Sequence, residues 1–396
     1  MTKSKFKLFN GRLITPDGIV PGAVIYTDGD KILSVNDVTV DIPDAIPIDA
    51  KGQYISPGFI DIHVHGGGGS DFMDGTEEAF LTIAETHARY GTTAMLPTSL
   101  TGSKDQILAT LEVYEKANTK NKNGAQFLGM HLEGPYLAMS QRGAQDPRYI
   151  RNPDPKEYTE ILSSFSCIKR WSAAPELPGA IEFGRYIQSK GILPAIAHTD
   201  AIYEEVAEAF ENGYTLATHF YSAMSGVTRR NAFRYAGVVE AGYLIDEMDV
   251  EIIADGVHLP APLLRLIHKI KGTKHTALIT DAMRAAAMPP GEYILGNNKD
   301  GLKVIVEDGV AKLPDRSSFA GSVATADRLI RTMLTMTDIP LHEIVAMLSA
   351  TPARILNLSD QKGSIKKGMD ADIVIFDEEI NVSMTIINGQ IVYQEK

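Results

Sequence analysis

The stretch ILPAIAHTDAIYEEVAEAFENGYTLATHFYSA, residues 192–223, decides how this chain is organised. It opens on a strand-like apolar run (192–200). It then passes through an amphipathic helical pattern (201–213) and closes on a second strand-like run (215–223). Strand, helix and strand joined this closely make a parallel βαβ unit. Working outward, the same alternation recurs. Further strand-like runs are GFIDIHVHG (58–66), TTAMLPTS (92–99), FLGMHLEG (127–134), IKRWSAAPE (168–176), VEIIADGVH (250–258) and TALITDAM (276–283), and EEAFLTIAETHARYG (77–91) is another amphipathic helix pattern. Eight strand-like runs interleaved with helices predict an α/β fold, a (β/α)8 TIM barrel. A doubly wound open sheet is the alternative. It needs a phosphate-binding glycine turn opening a helix after the first strand, and the HGGGGS at 65–70 has neither the spacing nor the helix.

The two ends of the chain read differently from this middle. Phe6–Leu8, Ala23–Tyr26 and Lys31–Val35 are short apolar or β-branched runs punctuated by Asp17-Gly18 and Asp28-Gly29. Near the C-terminus, ADIVIFD and VSMTIINGQIVY carry an Asn388-Gly389 hairpin signal. Neither end buries a core alone. The expected organisation is therefore residues 1–55 plus 358–396 as a small β-sandwich built from both termini, around a barrel spanning 56–357. After the eighth run, residues 284–316 form an insertion with a hairpin at Asp308-Gly309, and helical patterns follow at 325–336 and 341–356.

Composition narrows the function. Of 396 residues, 44% are hydrophobic and 22% charged, which suits a globular chain and excludes general disorder. The 38 Lys+Arg against 50 Asp+Glu give a net charge of −12, which argues against a nucleic-acid-binding surface while leaving room for a local anion pocket. The N-terminus lacks a signal-peptide pattern, and no apolar run approaches the roughly 18 residues of a membrane span. The one cysteine, Cys167, cannot make an internal disulfide, so a reducing, cytoplasmic setting is expected.

Polar residues gather where the predicted strands end. His63 and His65 end the first, Glu133 the third, His198 the fifth, His219 the sixth, His258 the seventh and Asp281 the eighth. In a barrel these ends converge on one face, where active sites are built. His63 and His65 lie two apart on a strand, so they share a face and can hold one metal. Glu133 in MHLEGP and Asp281 in LITDAM are carboxylates among apolar neighbours, where charge needs a partner or an ion. His131 shares the face of Glu133 and is read as a support for a ligand. His87, His268, His275 and His342 are read as structural or solvated.

These residues resemble the amidohydrolase superfamily: HxH, then Glu, His, His and Asp on successive barrel strands. PGFIDIHVHG, GMHLEGPYL, AHTDA, THFYSAMSG, IADGVH, TDAM and AGS are similar to its branch that removes the N-acetyl group of N-acetyl-D-glucosamine 6-phosphate. The resemblance covers nearly the whole chain. It implies metal-dependent amide hydrolysis yielding D-glucosamine 6-phosphate and acetate, in amino-sugar catabolism. It implies two divalent ions per subunit, bridged by Glu133 where related enzymes use a modified lysine. His63, His65 and Asp281 would hold one ion and His198 and His219 the other. Zinc, iron(II), cobalt and manganese all suit such ligands. Asp281 would also move the proton. The resemblance places substrate against Ala144, Gln145, Ser222, Ala223, Arg230, His258, Phe319, Ala320 and Gly321. Relatives often have Asn where Ser222 stands and His where Gln145 stands. Arg229, Arg230 and Arg234 form a basic cluster able to clamp phosphate. Relatives borrow phosphate-binding groups from a neighbouring subunit, which implies a homodimer or a dimer-based oligomer. Two alternatives stay open. One is a related hydrolase acting on N-acetylgalactosamine 6-phosphate or a cyclic amide. The other is an inactive barrel serving as a binding protein.

Overall fold

The computed structural model describes residues 4–37 and 39–395. Residues 1–3, 38 and 396, which fall within the terminal module expected from the sequence, lie outside the described residues. Eight parallel strands form the barrel: Phe59–Val64, Thr92–Ser99, Met130–Glu133, Ile168–Ala173, Leu193–Ile196, Leu216–Ala217, Asp249–Ile253 and Thr276–Ile279. Each pairs in parallel with its sequence neighbour, and a bridge between Val64 and Ala282 links the last strand end to the first. Burial on both faces explains why these segments read as continuous apolar runs rather than alternating ones. Helices such as Glu77–Ala88 and Tyr203–Glu211 lie between the strands and bury one stripe each, Phe80 and Ile83 in the first and Val206 and Ala209 in the second.

Strands from the two chain ends do share one sheet. The hydrogen-bonded path runs Gln390–Gln394, Val382–Ile387, Ile373–Phe376, Tyr54–Pro57, Lys5–Thr15, Gly18–Asp28, Lys31–Val35, with Ile46–Asp49 beside Lys5–Thr15. It closes over an apolar layer of its own that joins Leu8, Ile25 and Ile55 to Ile373, Met384 and Ile386. Asn388 (φ 48°) and Gly389 (φ 70°) make a two-residue turn with both central residues left-handed, the geometry that matches strand twist. At the N-terminal end the second turn falls on Gly29-Asp30, one residue later than Asp28-Gly29, because Asp28 pairs with Lys31.

The helical span expected over 341–356 is two helices, Leu341–Met347 and Ala350–Ile355. Pro352 lacks the N–H that a continuous helix would need to donate to Leu348, and it is accommodated in the first turn of a new helix. The insertion after the eighth strand is a four-stranded antiparallel sheet, Gly291–Leu295, Leu302–Glu307, Val310–Lys312 and Phe319–Ser322. Its hairpin turns at Asp308-Gly309, and it reaches past residue 316 to the barrel through a bridge between Ser322 and Ala282. No helix among the described residues is long and apolar enough to cross a membrane.

Candidate metal centre

The barrel delivers its polar side chains by ending strands at one level. Glu133 is the last residue of the third strand, while His198, His219 and Asp281 each stand two residues beyond the ladder of theirs. These three sit at φ 47°, 32° and 45°, the left-handed region that non-glycine residues seldom adopt. Trp171, fully buried and stacked on Tyr136, donates from Nε1 to the Gly134 carbonyl at 2.8 Å and so pins the end of the strand that carries Glu133.

The side chains converge. Glu133 Oε1 lies 3.0 Å from His219 Nε2, 3.3 Å from His198 Nε2 and 3.5 Å from His63 Nε2, while its Oε2 lies 3.3 Å from His65 Nε2. Asp281 Oδ1 is 3.2 Å from His65 Nε2 and 3.5 Å from His63 Nε2. Two groups of ligand atoms result, His63–His65–Glu133 and Glu133–His198–His219, with Glu133 common to both.

The donors fit divalent ions. Nitrogen ligands at about 2.0–2.1 Å in a tetrahedral site stand roughly 3.3 Å from one another, close to the separations seen here. The outward ring nitrogens set the tautomers: Nδ1 faces the Thr98 carbonyl in His65 (3.2 Å), the Gln141 carbonyl in His198 (2.8 Å) and the Ser222 carbonyl in His219 (3.1 Å). A carbonyl only accepts, so each Nδ1 carries the hydrogen and each Nε2 offers a lone pair inward. His198 and His219 thus place two lone pairs 3.3 Å apart, and the Nε2 atoms of His63 and His65 lie 3.1 Å apart. Divalent ions held by these atoms would turn that repulsion into ligation.

Electrostatics agree. Burial works against charging His63 and His65, but the Glu133 and Asp281 carboxylates outweigh it and raise the two imidazoles to about 9 and about 10. Burial likewise opposes the charge on Glu133 and Asp281, and the surrounding imidazoles overcome it, holding Glu133 well below and Asp281 below the usual carboxylate range. The centre thus attracts positive charge. His131 is different: burial and the Arg170 guanidinium push it well below its ordinary value. Its ring nitrogens meet Ser172 Oγ at 2.7 Å and Thr98 Oγ1 at 3.2 Å, which holds it beside His63 and out of the ligand groups.

Above the centre opens a cavity of about 310 Å³, large enough for a small ligand. Ala144, Gln145, Ser222, Ala223, His258, Phe319 and Gly321 line it together with His65, Glu133, His198, His219 and Asp281. His258 is oriented by Asp255 (Nδ1 to Oδ2, 2.8 Å) and packs on Phe319. Two expected contacts are not in the lining. Ala320 is fully buried in the core of the insertion, its neighbours on the strand facing the cavity. Arg230 lies with Arg229 and Arg234 on an exposed hairpin, Thr228–Arg230 against Phe233–Tyr235, its guanidinium 5.5 Å from the Tyr235 ring. A larger cavity, about 790 Å³, lies between the terminal sheet and the Leu341–Met347 helix, away from both ligand groups.

Sequence reasoning missed two supports. Gln145 donates to Glu133 Oε2 at 2.7 Å and accepts from the Thr101 N–H at 2.9 Å, so its carboxamide is committed to the carboxylate as well as to the cavity wall. No spacing rule signals that pairing. Beneath His63 lies a fully buried ion pair of Arg170 and Glu251. Burial opposes the charge on Glu251, and Arg170 more than offsets it, keeping the carboxyl below its usual range. Charged residues inside IKRWSA and VEIIAD were a readable signal, since such strands exclude unpaired charge.

Comparison with known proteins gives the family of the chain. Residues 54–392 match the model of the amidohydrolase family. The N-acetylglucosamine-6-phosphate deacetylase of Lysinibacillus sphaericus is 34% identical over 349 residues, covering 87% of each chain. The N-acetylgalactosamine-6-phosphate deacetylase of Escherichia coli O157:H7 is 31% identical over 382 residues, 96% of this chain and 97% of that one. A mutant N-acetyl-D-glucosamine-6-phosphate deacetylase from Mycobacterium smegmatis, solved in complex with N-acetyl-D-glucosamine-6-phosphate, superposes with a TM-score of 0.90. It is 27% identical and covers 99% of this chain and 100% of that one.

Proposed function

We propose, for a chain that belongs to the amidohydrolase family and within it to the N-acetylglucosamine-6-phosphate deacetylases, that it hydrolyses the N-acetyl amide of N-acetyl-D-glucosamine 6-phosphate. The products are D-glucosamine 6-phosphate and acetate. The observation that carries this reading is the pair of ligand groups sharing Glu133, with Asp281 beside them at the foot of the cavity.

Two ions per subunit are proposed, one held by His63, His65 and Asp281, the other by His198 and His219, with Glu133 between them. Zinc, iron(II), cobalt and manganese all accept these donors. A divalent ion supplies Lewis acidity, lowering the pKa of water from 15.7 to about 7 and polarising a carbonyl. Asp281 takes the proton from the attacking water and returns it to the nitrogen as the C–N bond breaks, so the amine leaves neutral. Gln145, Ser222, His258 and Phe319 line the cavity and would contact the bound sugar. Arg230 serves phosphate from the exposed hairpin of a neighbouring subunit, in a homodimer or dimer-based oligomer. A phosphorylated substrate and a single free cysteine suit the cytoplasm.

The test is metal analysis of the purified protein together with acetate release from N-acetylglucosamine 6-phosphate, from N-acetylgalactosamine 6-phosphate and from both sugars without phosphate. Turnover of the glucosamine phosphate with bound metal is expected. The similarity to the E. coli enzyme makes the galacto epimer the second reading, and a preference for it would replace the first. A metal-free, inactive protein that added ions do not rescue would sink both. Asp281→Asn should keep its ions and lose nearly all turnover.

A further inference from the structure

Three ligand histidines direct Nδ1 to a main-chain carbonyl; His63 does not. Its Nδ1 is buried without a hydrogen-bond partner, and the facing acceptor is Glu251 Oε2 at 3.8 Å. Glu251 is gripped from across the barrel. Arg170, on the fourth strand, spans to the seventh, pairing Nη1 with Oε1 and Nη2 with Oε2, the latter at 2.7 Å. The same guanidinium donates to the Ile62 carbonyl at 3.1 Å and to Thr218 Oγ1 at 2.7 Å, so it also ties down the strand residue before His63. Both charged residues are 0% exposed.

Barrel interiors are ordinarily filled by branched apolar side chains, and replacing a buried ion pair with such residues is often neutral or stabilising. Stability alone therefore does not account for Arg170 and Glu251. Their placement under the one ligand imidazole without a carbonyl partner does. We propose that Glu251, locked by Arg170, is the positioning residue that holds the hydrogen of His63 on Nδ1 and so keeps Nε2 free for the ion. This rests on the metal reading above. A carboxylate behind a ligand imidazole fixes its tautomer and raises its basicity. The guanidinium keeps both carboxylate oxygens occupied on the far side, so that Oε2 cannot swing away from the ring.

The test compares ion affinity in wild type, Glu251→Gln and the apolar double replacement Arg170→Met with Glu251→Leu. Each is titrated with zinc in competition with a chromophoric chelator, with metal counts by mass spectrometry. Wild type should hold two ions. Glu251→Gln puts an amide where Arg170 and the His63 N–H both need an acceptor. It should weaken one of the two ions about 10- to 100-fold and leave the other unchanged. The double variant, which restores a filled core, should unfold at or near the wild-type temperature yet show the same loss, a result a merely structural ion pair would not give. Nitrogen-15 spectra of histidine in the zinc-loaded wild type should place the His63 hydrogen on Nδ1, independently of whether either variant folds. Two ions bound with wild-type affinity in a folded variant, or the hydrogen found on Nε2, would overturn the role of Glu251. A wild type that takes up no ion would overturn the metal reading itself, and this inference with it.

Discussion

Replacing Gln145 with alanine separates two roles for that side chain. Its carboxamide, 5% exposed, bridges the Thr101 N–H and Glu133 Oε2 at 2.9 and 2.7 Å. Alanine deletes a hydrogen bond to a charged acceptor, worth about 1.5–3 kcal/mol, and leaves the Thr101 N–H without its acceptor at a further 1–3 kcal/mol or so. The adjoining cavity can admit a water to serve both groups, so the net cost falls to roughly 2–4 kcal/mol. Unfolding entropy scales with chain length at about 2.1 cal/mol/K per residue, so for 396 residues this loss lowers Tm by about 2–5 °C. The larger effect should fall on the metal centre. Glu133 then keeps only its imidazole partners, and freeing a group that orients a ligand weakens ion affinity about 10- to 100-fold. Thermal melts, chelator competition and steady-state kinetics at saturating metal measure the three quantities. With the ions replenished, KM should stay within about threefold of wild type, because loss of carboxylate support is not loss of substrate binding. Wild-type metal retention with a raised KM would refute the reasoning and make Gln145 chiefly a substrate contact.

Other outcomes follow from the same structure. In the metal-free protein His63 and His65 rise to about 9 and about 10, above the 6.5 of an ordinary imidazole. Their contribution to stability is whole below about pH 6.5 and is lost as pH climbs through 9 to 10, so the metal-free Tm should fall over that range; a flat or rising profile would contradict it. Gly389→Ala would set a Cβ 1.7 Å from the Gly29 carbonyl oxygen at a φ of 70°, and should cost at least about 1–2 kcal/mol in melts while turnover per folded molecule stays unchanged. Arg230→Ala should raise KM for the phosphorylated sugar roughly 10- to 100-fold, the worth of a bidentate charge-assisted contact, and leave the unphosphorylated sugar alone. Equal effects on both sugars would show that Arg230 does not read the phosphate.

The barrel was legible because its period switches from strand to helix are strong, as in residues 192–223, where one window holds two strands and the helix between. The centre was legible because a strand buried on both faces has no ordinary use for a histidine or a carboxylate at its end. What strand phase reports is the side to which a residue points. It does not report which of seven other strands it will meet. Hence Arg170 and Glu251 were unpaired in the sequence although they grip each other across the barrel, and the partner of Gln145 could not be read at all. Ala320 and its neighbours show the limit at finer grain: Phe319 and Gly321 line the cavity, and the residue between them points into the insertion's own core. The break before Pro352 was within reach, since its missing N–H argues against one continuous helix.

The left-handed backbone of His198, His219 and Asp281 bears on how the chemistry can be tested. Each such residue costs about 1–2 kcal/mol relative to the ordinary helical or extended regions. The cost is tolerated because hydrogen bonds fix the main chain around each of them. The His198 carbonyl accepts from Ala138 N at 2.8 Å and that of His219 from Ser222 N at 2.8 Å. Asp281 donates to the His63 carbonyl at 2.9 Å and accepts from Ser322 N at 2.8 Å. None of these bonds involves the ligand side chains, so the loops should hold their shape with or without ions. Substitutions at Asp281 then differ in kind. Asparagine is among the few non-glycine residues at ease in this region and has the same outline, so Asp281→Asn removes the proton acceptor with little backbone penalty. Alanine deletes the ligand and has no comparable ease at φ 45°, so Asp281→Ala confounds chemistry with strain. The expected pattern is a small loss of Tm for the asparagine variant, from the lost charge beside His63 and His65, a larger one for alanine, and loss of turnover in both. An asparagine variant that melted as low as the alanine one would place the role of Asp281 in the fold rather than in proton transfer.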